Sequence, residues 1–145
     1  MRMLFKTLAL LAVTTLCSFP ALAYENLIGE YEGKFKGEND YGKQEGDSCT
    51  VKIGKSDRYS GGSVSFAVSG VDEIHFDVRS VSDALAAGGH EVKLGARTAA
   101  HSGQDREIVY LKLREDGAVA FIKLTRKPPR QHIERSISCG DLTKK

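Results

Sequence analysis

A β-hairpin pattern over residues 107–126 constrains the fold of this chain more than any other feature. Two runs rich in β-branched, aromatic and leucine residues flank Asp116-Gly117, a dipeptide that favours a two-residue type I′ turn. The turn sets the register, and the register decides which side chains share a face. The outward pairs are expected to be Arg114 with Val119, Lys112 with Phe121, and Tyr110 with Lys123. The inward pairs, which would supply core, are expected to be Leu113 with Ala120, Leu111 with Ile122, and Val109 with Leu124.

Residues 24–145 otherwise alternate between apolar and polar side chains, and glycine-rich loops interrupt the alternation. Alternation with a period of two is typical of strands that bury one face. Loops are expected over residues 37–46, 54–62 and 95–106, and a short helix or turn over residues 80–89. The expected inward side chains are Tyr31, Gly33, Phe35, Cys49, Val51, Ile53, Val64, Phe66, Val68, Ile74, Phe76, Val78, Val92, Leu94 and, on a last strand over residues 132–139, Ile133, Arg135, Ile137 and Cys139. The chain is therefore predicted to be all-β, a single antiparallel β-barrel or β-sandwich of about eight short strands with at most one short helix.

Residues 1–23 have the organisation of a signal peptide. Arg2 and Lys6 precede a short apolar run, and Ala21-Leu22-Ala23 provides the small residues of a cleavage site. Cleavage would leave residues 24–145 as one exported β domain, periplasmic or secreted, without a membrane span. Loss of the two basic residues reduces the formal net charge from +2 to zero. This balance argues against nucleic-acid binding, because that function needs a clustered basic excess.

Two cysteines remain after cleavage, Cys49 and Cys139, because Cys17 belongs to the signal peptide. An even pair in an oxidising compartment predicts a disulfide. It would close a loop of about 90 residues, and the chain-entropy model gives such a loop ~4–5 kcal/mol of stabilisation. The alternative is a metal ligand or a reactive thiol, for which the sequence offers neither a CxxC spacing nor a nearby histidine. The pair is expected to be structural and to join an early strand to the last one.

The first and last strands carry two markers of a known superfamily. Gly29-Glu30-Tyr31 lies on the first strand, and Arg135 lies among inward positions of the last. In this respect the chain resembles the calycins, the lipocalin-like and avidin-like barrels, whose Gly-x-Trp on the first strand packs against an Arg or Lys from the last. Tyr31 stands in place of the tryptophan. The alternative is that Arg135 reaches the rim of the sheet and lies in solvent. The resemblance implies a barrel around a small or apolar ligand, with binding residues Tyr31, Phe35, Phe66, Phe76 and Arg135.

The loop after the second strand carries a local resemblance of another kind. The segment Arg58-Tyr59-Ser60-Gly61-Gly62 is similar to the loop of the periplasmic inhibitors of c-type lysozyme. Those inhibitors are small exported β-barrels that insert a loop of the form SGxxY into the lysozyme cleft, and here Asp57 occupies the glycine position. The resemblance implies a partner protein bound through Arg58, Tyr59 and Ser60. The alternative is a polar glycine loop that only connects two strands.

The sequence contains little that indicates an enzyme. His75 and Asp77 alternate on one outward face, which would permit a histidine–carboxylate pair for acid–base work or a weak metal site. Exposed polar residues at this spacing are also typical of any solvated strand. The other histidines lack zinc-ligand spacing, and the sequence has no GxSxG, P-loop or GxGxxG motif. The chain is therefore expected to be non-enzymatic, without a metal or cofactor.

Two functions are expected from these features. The first is an exported binding protein whose β-barrel holds a small or apolar ligand. The second is a periplasmic inhibitor that binds a partner protein through a surface loop. An enclosed cavity of roughly a few hundred Å³ would favour the first, and an aromatic side chain presented by a loop would suit the second.

Overall fold

The structure, a computed structural model, describes residues 24–58, 63–77, 91–97, 106–127 and 133–145. Within these residues eight strands form one sheet. A 3₁₀ turn at Tyr24–Leu27 precedes the first strand. The strands are β1 (Gly29–Phe35), β2 (Ser48–Ser56), β3 (Ser63–Val68), β4 (Ile74–Asp77), β5 (Glu91–Arg97), β6 (Arg106–Leu113), β7 (Val119–Lys127) and β8 (Arg135–Lys144). The predicted all-β class is confirmed. The helix or turn expected over residues 80–89 lies outside the described residues.

The sheet runs from β4 at one edge to β5 at the other, and these two edge strands approach each other. The order is β4-β3-β2-β1-β8-β7-β6-β5, and all neighbours are antiparallel. Within the described residues β4 and β5 are therefore the edge strands, yet some of their Cα atoms lie within 8 Å of each other. The sheet curls strongly around one buried face, as the right-handed twist of a large antiparallel sheet favours.

The inward faces read from the alternation are confirmed on β2, β3, β4 and β5, and at Tyr31 and Phe35 of β1. Phe66 and Phe76 expose none of their surface and meet edge to face, with ring centroids 5.4 Å apart. Such an arrangement satisfies the quadrupoles of both rings. The core side chains are Leu27, Tyr31, Phe35, Cys49, Val51, Ile53, Val64, Phe66, Val68, Ile74, Phe76, Val92, Leu94, Val109, Leu111, Val119, Ile122, Leu124, Ile137, Cys139 and Leu142. Val78 lies outside the described residues.

The hairpin of β6 and β7 confirms the predicted register away from the turn and corrects it at the turn. Val109 pairs with Leu124, Leu111 with Ile122, and Lys112 with Phe121. The predicted type I′ turn is wrong: Gly117 has φ +81°, but Asp116 does not have the positive φ that this turn needs. Instead the Gly117 amide donates to the Arg114 carbonyl at 2.9 Å, and the Arg114 amide donates to the Ala118 carbonyl at 2.8 Å. These bonds describe a three-residue loop with a glycine bulge.

Because the loop is one residue longer than expected, Val119 and Ala120 exchange the inner and outer faces of β7. Leu113 pairs with Val119 instead of Ala120, and the register shifts by one residue next to this pair. Val119, expected to face outward opposite Arg114, is therefore buried. Asp116 stabilises the loop, since its Oδ1 accepts a hydrogen bond from the Ala118 amide at 2.9 Å.

The last strand is longer and starts later than the alternation suggests. β8 spans Arg135–Lys144, and Ile133 lies before it with 66% of its surface exposed. Arg135 is also exposed, so its expected inward position is wrong and the rim alternative is the correct one. The strand continues beyond Cys139 through an irregularity opposite β1, where Asp141 has φ 54°. Leu142 then returns to the core.

Two of the expected loops are shorter than their glycines suggest. Residues 54–56 belong to β2, and residues 95–97 and 106 belong to β5 and β6. In both places the backbone continues in a ladder with its neighbour, which satisfies its amide and carbonyl groups. The glycines at positions 54 and 95 suggested a loop, but both belong to strands.

A disulfide joins Cys49 of β2 to Cys139 of β8, as the cysteine count predicted. The two strands flank β1, and the Cα atoms of the cysteines lie 6.1 Å apart. Both cysteines are buried. The bond therefore fastens the centre of the sheet across three neighbouring strands.

Tyr31 occupies the inner face of β1 close to the end of β8. Its hydroxyl donates to the Leu27 carbonyl at 2.6 Å, and burial raises the pKa of this phenol. Its register partner Lys144 holds the ammonium nitrogen 5.9 Å from the ring centroid. A Cβ on Gly29 would lie 2.5 Å from Cε of Lys144, so the glycine makes room for the lysine side chain. Tyr31 thus has a basic partner from the last strand, Lys144 rather than Arg135.

The glycine at position 33 is required by the contact between β1 and β8. A Cβ there would lie 2.2 Å from the Gly140 carbonyl oxygen, and a backbone atom cannot move aside cheaply. Gly33→Ala is therefore expected to destabilise the protein by about 1–3 kcal/mol, the usual range for overpacking.

Urea unfolding measures this effect, and Gly54→Ala is a matched control in the neighbouring strand. A Cβ on Gly54 would meet only Oγ of Ser65, at 3.4 Å. The control should therefore be neutral or slightly stabilising, because alanine reduces the conformational entropy of the unfolded chain. Equal unfolding midpoints for the two variants would contradict the tight contact.

Candidate functional site

An open groove of about 720 Å³ follows β4 and the ends of β2 and β7. Four of its residues come from the end of β2 and the segment after it, three from β4 and the segment before it, and one from β7. Its lining residues are Lys55, Ser56, Asp57, Arg58, Asp72, Glu73, His75 and Arg126. The walls are polar, with basic and acidic groups in equal number besides the histidine. The groove is thus suited to a polar ligand or a protein surface rather than to an apolar molecule.

A serine and a histidine meet on one wall of the groove. Ser56 Oγ is in hydrogen-bond contact with Nδ1 of His75, and Nε2 of His75 lies 3.7 Å from a Glu73 carboxylate oxygen. The strands explain the meeting: β3 lies between β2 and β4, and it is lined on this outer face by small serines, over which the imidazole can extend. Ser56 is nearly buried, whereas His75 is partly exposed.

Backbone and side-chain contacts fix the position of Ser56. The Arg58 amide donates to its Oγ at 3.3 Å, and the Ser63 hydroxyl donates to its carbonyl at 2.7 Å. Ser56 is also the last residue of the β2 ladder and pairs with Ser63. The ladder and the Ser63 hydroxyl thus hold the backbone of Ser56, and the Arg58 amide holds its hydroxyl close to the histidine.

A second cluster borders the groove through Asp72 and Arg126. Arg126 donates through Nε and Nη2 to Oε1 of Glu107, at 2.9 and 2.6 Å. The two residues are direct partners in the ladder between β6 and β7, and Glu107 exposes only 5% of its surface. Nη1 of Arg126 reaches Asp72, before β4, at 3.4 Å. The arginine therefore connects β6 and β7 to the β3–β4 connection, across the two edges of the sheet.

The structure separates the two sets of residues that the sequence singled out. Arg58 lies in the groove, while Tyr59 and Ser60 follow it outside the described residues. The four aromatic residues expected to bind a ligand are buried in the core, and Arg135 is exposed on β8 opposite Arg126 of β7. Those four residues are Tyr31, Phe35, Phe66 and Phe76.

The ring nitrogens of His75 have two neighbours that the sequence did not indicate. Ser56 contacts Nδ1, and Glu73 lies 3.7 Å from Nε2. Ser56 was missed because it fell within a stretch expected to be a loop. Only the pairing of β2 with β3 and of β3 with β4 brings it near His75.

The sequence predicted a charged side chain on the inner face at Arg135. The structure has such charges at Glu107 and Arg126 instead, and they form an ion pair. A signal for this pair was present, because the hairpin register extended outward from Val109 and Leu124 makes Glu107 and Arg126 partners. On that register both residues lie on the same face of their strands as the core residues Val109 and Leu124. A buried carboxylate needs such a partner.

Neither a metal-binding cluster nor a membrane-spanning helix is present among the described residues. No group of three or more His, Cys, Asp or Glu side chains is arranged there to hold a metal ion. In the same part of the chain, no helix has the length and apolar character required to cross a bilayer.

Comparison of the chain with models of known protein families, with curated proteins and with solved structures finds no match. The proposals below therefore depend on the groove and on the two resemblances in the sequence.

Proposed function

We propose that this chain is an exported binding protein that takes a partner protein in the groove along β4. The observation that carries the proposal is the position of the groove. Its lining includes Arg58, the first residue of the segment similar to the lysozyme-inhibitor loop, and its walls present both signs of charge. Charged walls favour specific docking of a complementary surface. Tyr59 and Ser60, next in the chain, would also contact the partner protein.

Export is supported by the disulfide between Cys49 and Cys139. Such bonds form and persist in oxidising compartments. Residues 1–23 would then direct the chain out of the cytoplasm, and the binding partner would be an extracytoplasmic protein. A c-type lysozyme is the partner that the loop resemblance suggests.

Lysozyme inhibition is the direct test of this proposal. The exported protein is expected to inhibit a c-type lysozyme at micromolar concentration, and Tyr59→Ala or Arg58→Glu should weaken inhibition about 30-fold, the size of a hot-spot residue. Inhibition is measured by the clearing rate of a cell-wall suspension. Lys123→Glu is the control, because it makes the same charge change at an exposed position outside the groove. Absence of inhibition by the unmodified protein would remove lysozyme as the partner.

A small apolar ligand in the interior is the second candidate. The contact of Tyr31 with Lys144 supports it, because a first-strand aromatic residue with a basic partner from the last strand resembles the calycin signature. The packing of Phe66 and Phe76, which expose none of their surface, favours the groove instead. Native mass spectrometry of protein from its native source decides this candidate. A bound small molecule supports it, and an unliganded mass that persists after addition of lipid or retinoid mixtures removes it.

A further inference from the structure

We propose that the groove also carries an acyl-transfer site in which Ser56 is the nucleophile, His75 is the general base and Glu73 positions the base. Its substrates would be carboxylic esters with short acyl groups, such as acetyl. This activity goes beyond the binding of a partner protein, and it would make the chain an enzyme.

One arrangement of protons would suit these three side chains. If the Ser56 hydroxyl donates to Nδ1 of His75, the imidazole carries its proton on Nε2, which lies 3.7 Å from a Glu73 carboxylate oxygen. A histidine nitrogen can accept or donate, but a serine that donates to Nδ1 assigns the proton to Nε2. This is the order of roles that activates a serine: nucleophile, base and orienting carboxylate.

A backbone donor and several cations lie near the Ser56 hydroxyl. The Arg58 amide donates to Ser56 Oγ at 3.3 Å, and it would have to turn to the carbonyl oxygen of a bound ester to stabilise an oxyanion. The side chains of Lys55, Arg58 and Arg126 line the same groove. Fixed amides and cations close to a developing negative charge lower the barrier for acyl transfer.

The reaction would proceed in two balanced steps. Ser56 Oγ forms a bond to the ester carbonyl carbon and gives its proton to Nδ1 of His75, and the alcohol then leaves with that proton as the ester C–O bond breaks. Water next attacks the acyl-serine and gives a proton to Nδ1. The Ser56–acyl bond breaks, the carboxylic acid leaves, and the proton returns to Ser56. Water is the only co-reactant.

The polar groove sets the class of substrate. Seven of its eight lining side chains are charged or titratable, and the eighth is Ser56 itself. A long acyl chain would have to desolvate these groups without offering them partners, which is unfavourable. Acetyl and other short acyl groups would therefore be preferred.

A fluorophosphonate probe tests the nucleophile on the full exported protein. The probe reacts with an activated serine, so intact-protein and peptide mass spectrometry should find one adduct on Ser56 of the unmodified chain. Ser56→Ala should abolish labelling, while the control Ser65→Ala should retain it. Ser65 is a buried serine on the same outer face, and its ladder partner is His75. Absence of an adduct on Ser56, or an adduct only at other serines, overturns the proposal.

Hydrolysis of p-nitrophenyl acetate provides the second readout. Ser56→Ala should lower the rate at least about 100-fold, the lower limit for loss of positioned acid–base and nucleophilic groups. An isolated imidazole also hydrolyses this ester, so a rate that survives Ser56→Ala with His75 intact counts against the proposal. Glu73→Gln should lower kcat and leave KM unchanged, as a residue that acts through His75 requires.

Folding of the variants does not decide the outcome. Should Ser56→Ala unfold because the Arg58 amide loses its acceptor, the site of the adduct in the unmodified protein still supports or overturns the proposal. Labelling needs no partner protein. A failed labelling experiment therefore leaves groove binding standing, and failed lysozyme inhibition leaves the acyl-transfer proposal standing.

Discussion

Replacing Cys49 and Cys139 together by alanine is expected to lower the free energy of unfolding by about 4–5 kcal/mol. The two residues are 90 positions apart in sequence, and cross-linking so long a loop removes much of the entropy of the unfolded chain. Domains of this size are stable by about 5–15 kcal/mol, so the variant should approach the threshold of folding. Urea denaturation followed by circular dichroism measures the change.

Reduction of the unmodified protein separates the cross-link from the packing of the sulfur atoms. Dithiothreitol opens the bond and keeps both buried side chains, so the reduced protein should lose nearly as much stability as the double variant. Unfolding midpoints that agree for the oxidised and reduced proteins would show that the bond contributes nothing. A large loss in the alanine variant alone would assign the effect to packing.

Arg126→Leu is expected to destabilise the protein by about 3–5 kcal/mol, because it leaves the Glu107 carboxylate buried without a partner. Glu107 exposes 5% of its surface and accepts both short hydrogen bonds of the guanidinium. The same change frees Asp72, which exposes 92% of its side chain. Water can solvate that carboxylate, so its loss of a partner should contribute little.

The double variant Glu107→Leu/Arg126→Leu tests the origin of this effect. Replacing both members of a buried pair by apolar residues is often close to neutral, so the double variant should recover most of the lost stability. Lys52→Ala is the exposed control, since it breaks only the 3.4 Å pair with Glu30 and should change stability by less than about 1 kcal/mol. A double variant as unstable as Arg126→Leu would mean that the arginine stabilises the protein by other contacts.

Much of the sheet could be predicted because alternation reports local geometry. Side chains on a strand point to opposite faces in turn, so Val51 and Ile53, or Val64 and Phe66, reveal their buried face without any knowledge of their partners. The prediction failed where the backbone breaks the period. Gly117 closes a bulged loop, and the irregularity near Asp141 moves Leu142 back to the core after the expected end of the last strand.

The candidate site was far less predictable than the strands that carry it. Ser56 and His75 have one strand between them, and Asp72 meets Arg126 from 54 residues away. The alternation of apolar and polar residues gives no information on contacts between residues so far apart in the sequence. Glu107 and Arg126 are the exception, because one hairpin contains both and its register makes them partners.

The hairpin register away from its turn, the buried faces of β2 to β5 and the cysteine pair were determined by the sequence itself, because each depends on local geometry or on a count. The strand order, the groove and the contact of Ser56 with His75 were decided only by the tertiary structure. Alternation fixes which way a side chain points, but remote strands can be ordered in many ways that keep the same faces buried. The choice among those orders depends on the packing of the whole core, and it is that choice which brings β2, β4 and β7 to one groove.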